Sequence, residues 1–135
     1  MQGTALWVVQ GLLVAVFTLT GMAKLVVPRE TLEKRMHWAA TWPRWRIKLL
    51  GLAEVLGAIG LVAPAATGLA PALTPLAALC LTILMVGAAA THRKLGERFV
   101  PALVIGALCL LVSVGRLPRS EGSSPRQQIS QEDKR

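Results

Sequence analysis

Leu49-Leu-Gly-Leu-Ala-Glu54-Val-Leu-Gly-Ala-Ile-Gly-Leu-Val-Ala63 is apolar from end to end except for one carboxylate, Glu54. If this stretch spans a bilayer, an unpaired carboxylate there costs about 3 kcal/mol on insertion scales and more on others. Such residues are rare, are usually paired, and often carry function. The reading of this segment as a membrane helix decides the fold, and the rest of the chain agrees with it.

Three further apolar runs accompany it, Leu6–Ala23, Pro75–Ala90 and Val100–Gly115. Glu54 is the one charged residue in all four. The chain of 135 residues is 53% hydrophobic and 16% charged, whereas soluble domains carry about 25% charged residues. A water-soluble bundle would need a charged face at helical spacing. The third and fourth runs offer only scattered Thr, Ser and Cys.

Net charge is +8 and the sequence pI is about 10.8. The basic residues lie between the apolar runs, where they meet phospholipid headgroups and set topology. No RNA- or DNA-binding motif accompanies them, so no nucleic-acid partner is expected. Met1–Ala5 holds no Lys or Arg, so the basic start of a signal peptide is missing and the first run reads as a retained membrane helix.

Crossing a membrane takes roughly 17–25 residues with flanks. Pro28 stops the first helix, the Trp42-Pro43 step precedes the second, and Pro64 ends it. Thr74 reads as an N-cap with Pro75 at the first helical position, and Pro101 lies in the tolerated first turn of the fourth. The expected helices cover about 5–27, 47–63, 75–91 and 99–115. The fold class is all-α: an integral membrane four-helix up-down bundle occupying residues 1–117.

Between the first two helices, Leu32, Met36 and Ala39 or Ala40 recur at helical spacing, and Glu30 precedes Lys34 by one turn. Trp38, Trp42 and Trp45 crowd the same segment, as suits the headgroup layer. A short interfacial amphipathic helix is expected, anchoring the bundle rather than acting as a lid. The polar stretch 118–135 cannot bury enough surface to fold and reads as a disordered tail. Arg29, Lys34, Arg35, Arg44, Arg46, Lys48, Arg93, Lys94 and Arg98 all fall on one side. The positive-inside rule places those connections, 28–48 and 91–98, in the cytoplasm and both termini outside.

Three ionisable residues converge on that basic side. Lys24 ends the first helix, Glu54 enters the second at roughly 9 Å depth from Lys48, and His92 closes the third. Thr20 and Gln10 share the face of Lys24 and are candidate accessories. Gly51, Gly57 and Ala58 near Glu54 allow close helix approach, which points to a Lys24–Glu54 ion pair at a helix seam. The cluster reads either as a polar clasp or as a ligand or proton-handling site. One His and one Glu do not supply the ligands of a zinc site. Cys80 and Cys109 lie at similar depth on small-residue stripes; packing is the commoner role for such residues than a redox pair. Nucleophile elbows, phosphate loops and dinucleotide fingerprints are absent from the sequence.

The chain resembles the DoxX-like family of small four-helix bacterial membrane proteins. The likeness rests on Phe17-x-x-x-Gly21-x-x-Lys24-Leu25, on Gly51-x-x-Glu54-x-x-Gly57, and on Met85-x-Gly87-Ala88 followed by Thr91-His92. It covers about residues 5–116, and the uncharged Pro64–Leu73 connection departs from relatives that often carry basic residues there. It implies a four-transmembrane bundle in a bacterial inner membrane. The family takes its name from a subunit of a thiosulfate:quinone oxidoreductase, and some relatives are tied to thiol redox stress.

The expectation is a multi-pass cell-membrane protein without independent catalytic activity. Its Lys24, Glu54 and His92 cluster would stabilise the bundle or bind a small lipophilic molecule. The alternative is a membrane subunit of a quinone- or thiol-linked redox system, with quinone as the candidate cofactor; no other cofactor is evident. Its expected partners are the lipid bilayer, a membrane or redox partner protein, and a second copy of the chain. A transporter is disfavoured, because one polar cluster on one side traces no path across a bilayer.

Overall fold

A computed structural model of the chain describes residues 2–117; the tail expected to be disordered, 118–135, lies outside the described residues. The helices are α1 (Gln2–Val26), α2 (Arg29–Arg35), α3 (Arg44–Thr67), α4 (Leu73–Lys94) and α5 (Val100–Gly115), with a 3-10 turn, His37–Thr41, between α2 and α3. No strand occurs among the described residues. Helices α1, α3 and α4 are each long and apolar enough to cross a membrane, and α5 is apolar but shorter.

The four apolar helices close a ring: α1 packs on α3, α3 on α4, α4 on α5, and α5 back on α1. Leu13, Phe17, Leu61, Leu81, Cys109 and Val112 fill its centre. The outside is equally apolar, with Leu19 73%, Ile83 64% and Val114 62% exposed. A continuous greasy exterior on all four of these helices is unstable in water and matches lipid. The chain is a helical membrane bundle.

Several helix ends differ from the expected ones. The second apolar helix runs Arg44–Thr67, not 47–63, and passes through Pro64. Proline removes one donor and crowds the Gly60 carbonyl, but its own carbonyl still accepts the Gly68 N–H at 3.0 Å. Gly68, at φ 71°, then closes the helix in the left-handed conformation that glycine tolerates. The third begins at Leu73 rather than Pro75, because residues 70–73 already wind into it through Leu73 N–H to Ala70 O at 2.9 Å. Ala72 therefore holds the N-cap position, and the buried Thr74 hydroxyl, expected as the cap, has no partner among the described residues. That helix extends to Lys94, and the first and last differ from expectation by a few residues at their ends.

The expected short amphipathic helix of the connection is α2, which ends at Arg35 instead of continuing through Met36 to Ala39. In α2, Leu32 is buried while Arg29, Glu30, Lys34 and Arg35 face outward, with Glu30 in the first turn and both bases in the last, as the helix dipole favours. The chain then tightens into the 3-10 turn, which turns Trp38 and Ala39 inward. Trp38 is therefore a packed residue at 8% exposure, not a headgroup anchor; only Trp45 keeps that exposed setting.

Candidate functional site

Where α1 crosses α3, glycine sets the spacing. A Cβ on Gly21 would stand 2.8 Å from the Gly51 carbonyl oxygen and 3.2 Å from Glu54 Cβ. One on Gly51 would stand 2.7 Å from the Gly21 carbonyl oxygen and 2.9 Å from Lys24 Cβ. The helices run antiparallel, and each charged residue rises over the other helix's glycine. Lys24 Nζ thereby donates to both Glu54 oxygens, at 2.8 and 2.7 Å. Lys24 is 7% and Glu54 2% exposed. Each charge neutralises the other where either alone would be costly.

Thr20 supplies a third member. Its hydroxyl lies 2.9 Å from the Val16 carbonyl and 3.1 Å from Glu54 Oε2, and its single proton serves one of them at a time. Lys24 Nζ also stands 5.8 Å from the centre of the Trp38 ring, a cation–π contact from the connecting segment.

His92 makes a different pair. After α4, Glu97 N–H bonds back to His92 O at 2.9 Å and Gly96 N–H to Arg93 O at 3.2 Å, with Gly96 at φ 70°. This Schellman turn folds the chain so that Glu97 returns beside His92, 2.7 Å from His92 Nδ1 to Glu97 Oε2. The other Glu97 oxygen lies 3.5 Å from His37 Nδ1 in the 3-10 turn. The acidic residue thus brings the α4–α5 turn up to the connecting segment, without a hydrogen bond between them at Glu97 Oε1. Sequence reasoning passed over Glu97, although a glycine following the basic last turn of a helix was its signal.

These groups share one cavity of about 510 Å³. Lys24, Glu54, Thr20, Thr91 and His92 supply its polar wall. Phe17, Leu50, Leu84, Met85 and Ile105 supply apolar surface, and Met36, Trp38 and Trp42 cover it from the connecting segment. Trp38 and Trp42 meet edge to face, 5.7 Å between ring centres. Mostly apolar walls with a few convergent polar groups are the usual make-up of a small-molecule pocket.

Gln10 is not part of this site. It is fully buried at the opposite end of the bundle, where its amide donates to the Leu61 carbonyl and its oxygen accepts from Arg116 Nε at 2.8 Å. Arg116 also lies over Trp7, 4.9 Å from the ring centre. The cysteines are separated in setting: Cys109 is in the core, Cys80 is on the outer surface, and both are free thiols. Among the described residues no group of three His, Cys, Asp or Glu side chains is arranged to hold a metal.

The family model whose description is "DoxX-like family" matches residues 8–115, a span that reaches into all four ring helices and contains the whole cavity wall. Comparison with curated proteins and with solved structures returned no match.

Proposed function

We propose that this chain, which belongs to the DoxX-like family, is a non-catalytic membrane bundle that holds a small lipophilic molecule beside Lys24 and Glu54. The observation that carries this reading is the cavity of about 510 Å³ with a buried ion pair in its wall. A clasp needed only to fix helix register would be stable in a fully packed seam. Here the pair borders open space, with Thr20 and His92 on the same wall.

The same reading takes α5 as the fourth spanning helix and puts the end of the bundle that carries Lys24 and His92 in the cytoplasmic leaflet. Nine basic residues in the connections on that side support it, since translocating them is unfavourable. The bundle would serve alone or as a subunit beside a membrane partner.

Native mass spectrometry of protein released from mild detergent tests the proposal. Wild type should retain a lipophilic molecule that Ala88→Phe, which fills the cavity, has lost. Identical adducts on both proteins, made only of bulk phospholipid, would sink it. A retained quinone would favour the redox alternative over simple binding.

A further inference from the structure

The seam between α3 and α4 is closed at one end and open at the other. Away from the Lys24 end it is tight: a Cβ on Gly57 would stand 2.6 Å from Leu81 Cδ2, and one on Gly60 2.7 Å from Ala77 Cβ. The antiparallel register that sets Gly57 against Leu81 sets Leu50 level with Ala88. Leu50 and Ala88 line the cavity instead of sealing the seam. Beside them Gly87 is exposed, lines the cavity, and has nothing within 4 Å of where its Cβ would be. Ile83, one turn away on the same outer face, is 64% exposed and also lines it. The cavity therefore reaches the lipid-facing surface at Gly87.

On the side of the connecting segment the cavity is covered. Trp38 is 8% exposed, and His37, next to it in the connecting segment, approaches Glu97 to 3.5 Å. Inside, both charges are already spent on each other, with Lys24 Nζ bonded to both Glu54 oxygens. A charged ligand head would leave water and meet no free counter-charge. A hydroxyl or amide head would suffice for what remains, the third Lys24 N–H, the Thr20 hydroxyl and the second ring nitrogen of His92.

We propose that the cavity draws an uncharged amphiphile sideways out of the bilayer through the opening at Gly87. This rests on the reading of the cavity as a ligand site, and the experiment separates the two. Full-length protein in lipid nanodiscs would be photolabelled with a long-chain alcohol bearing a diazirine near its hydroxyl, and labelled peptides mapped by mass spectrometry. A second probe carries the same chain on a sulfonate head.

The alcohol should label cavity residues of wild type. Gly87→Phe should cut that labelling about tenfold, equivalent to the loss of one decade of affinity. Its ring leans toward the preceding turn, over the opening beside Ile83. Because a side chain there meets open space, the variant should keep its thermal midpoint, and Gly87→Leu serves as a second occluding variant. Trp38→Ala should label at least as strongly as wild type, and the sulfonate about tenfold less than the alcohol. Undiminished labelling in both Gly87 variants, or loss in Trp38→Ala instead, would overturn the sideways route while the ligand site stands. Equal labelling by the sulfonate would overturn the uncharged class. Absence of cavity labelling in wild type would overturn both the inference and the reading beneath it.

Discussion

Gly21 and Gly51 touch backbone to backbone, each so close that a Cβ on one would stand within 2.8 Å of the other's carbonyl oxygen. The Lys24–Glu54 pair exists because of this contact, which brings the two helices near enough for a lysine to span the seam.

Gly21→Ala and Gly51→Ala should therefore each destabilise the bundle, by about 1–3 kcal/mol for overpacking a closed contact. Gly11→Ala, where nothing lies within 4 Å of the added Cβ, should be neutral or stabilise by up to about 1 kcal/mol through helix propensity. Thermal midpoints in one detergent check both. Equal effects at Gly11 and Gly51 would contradict the close crossing.

Glu54→Gln and Lys24→Met should each cost about 3–5 kcal/mol, since each strands the other's charge in the interior. The double substitution should cost less than the sum, because desolvation is relieved along with pairing. A double-mutant cycle by thermal unfolding measures the coupling. Additive losses would mean that the two side chains stabilise the bundle independently.

The two readings of Lys24 and Glu54 in the sequence and in the fold agree for a physical reason. Charged residues stranded in apolar helices have few partners to choose from, and each lies one turn from a glycine that permits approach. The extrapolation to Gln10 failed on depth. A shared helix face is not a shared level: fourteen residues of helix separate Gln10 from Lys24 by roughly 21 Å. His92 lies on the cavity wall with Lys24 and Glu54, yet its hydrogen bond goes to Glu97, whose position depends on the Schellman turn at Gly96. Trp38 was legible as an indole near the interface but not as a buried one, since its burial comes from the 3-10 turn rather than from helical spacing.

At the far end, Gln10 is the acceptor for a half-buried guanidinium. Gln10→Leu should leave Arg116 without its 2.8 Å partner and cost about 1–3 kcal/mol. Adding Arg116→Leu should recover part of that loss. If the single and double variants melt together, the contact contributes nothing to stability.

The cover over the cavity can be probed through water. In a background without Cys80 and Cys109, Ala88→Cys should react slowly with a water-soluble maleimide in detergent. Adding Glu97→Ala, which releases the His37 contact, should speed modification by up to about fivefold, since an exposed pair is worth up to about 1 kcal/mol. An unchanged rate would show that Glu97 does not hold the connecting segment closed.

Orientation is open to the same chemistry on whole cells. With an impermeant maleimide, Leu69→Cys in the uncharged connection should be modified on intact cells, and Arg93→Cys only after lysis. The reverse pattern would place the basic connections outside the cytoplasm.

The near-symmetry of the α1–α3 crossing also shapes how this protein can change over generations. Lys24 stands over Gly51 as Glu54 stands over Gly21, so exchanging the two charges leaves the sterics of the crossing almost unaltered. Yet a direct charge reversal at either position sets two like charges in the bilayer, and a neutral substitution at either one first strands the other's charge. The geometry is permissive while every first step is costly, and a lineage that began with one polarity at this seam would tend to inherit it.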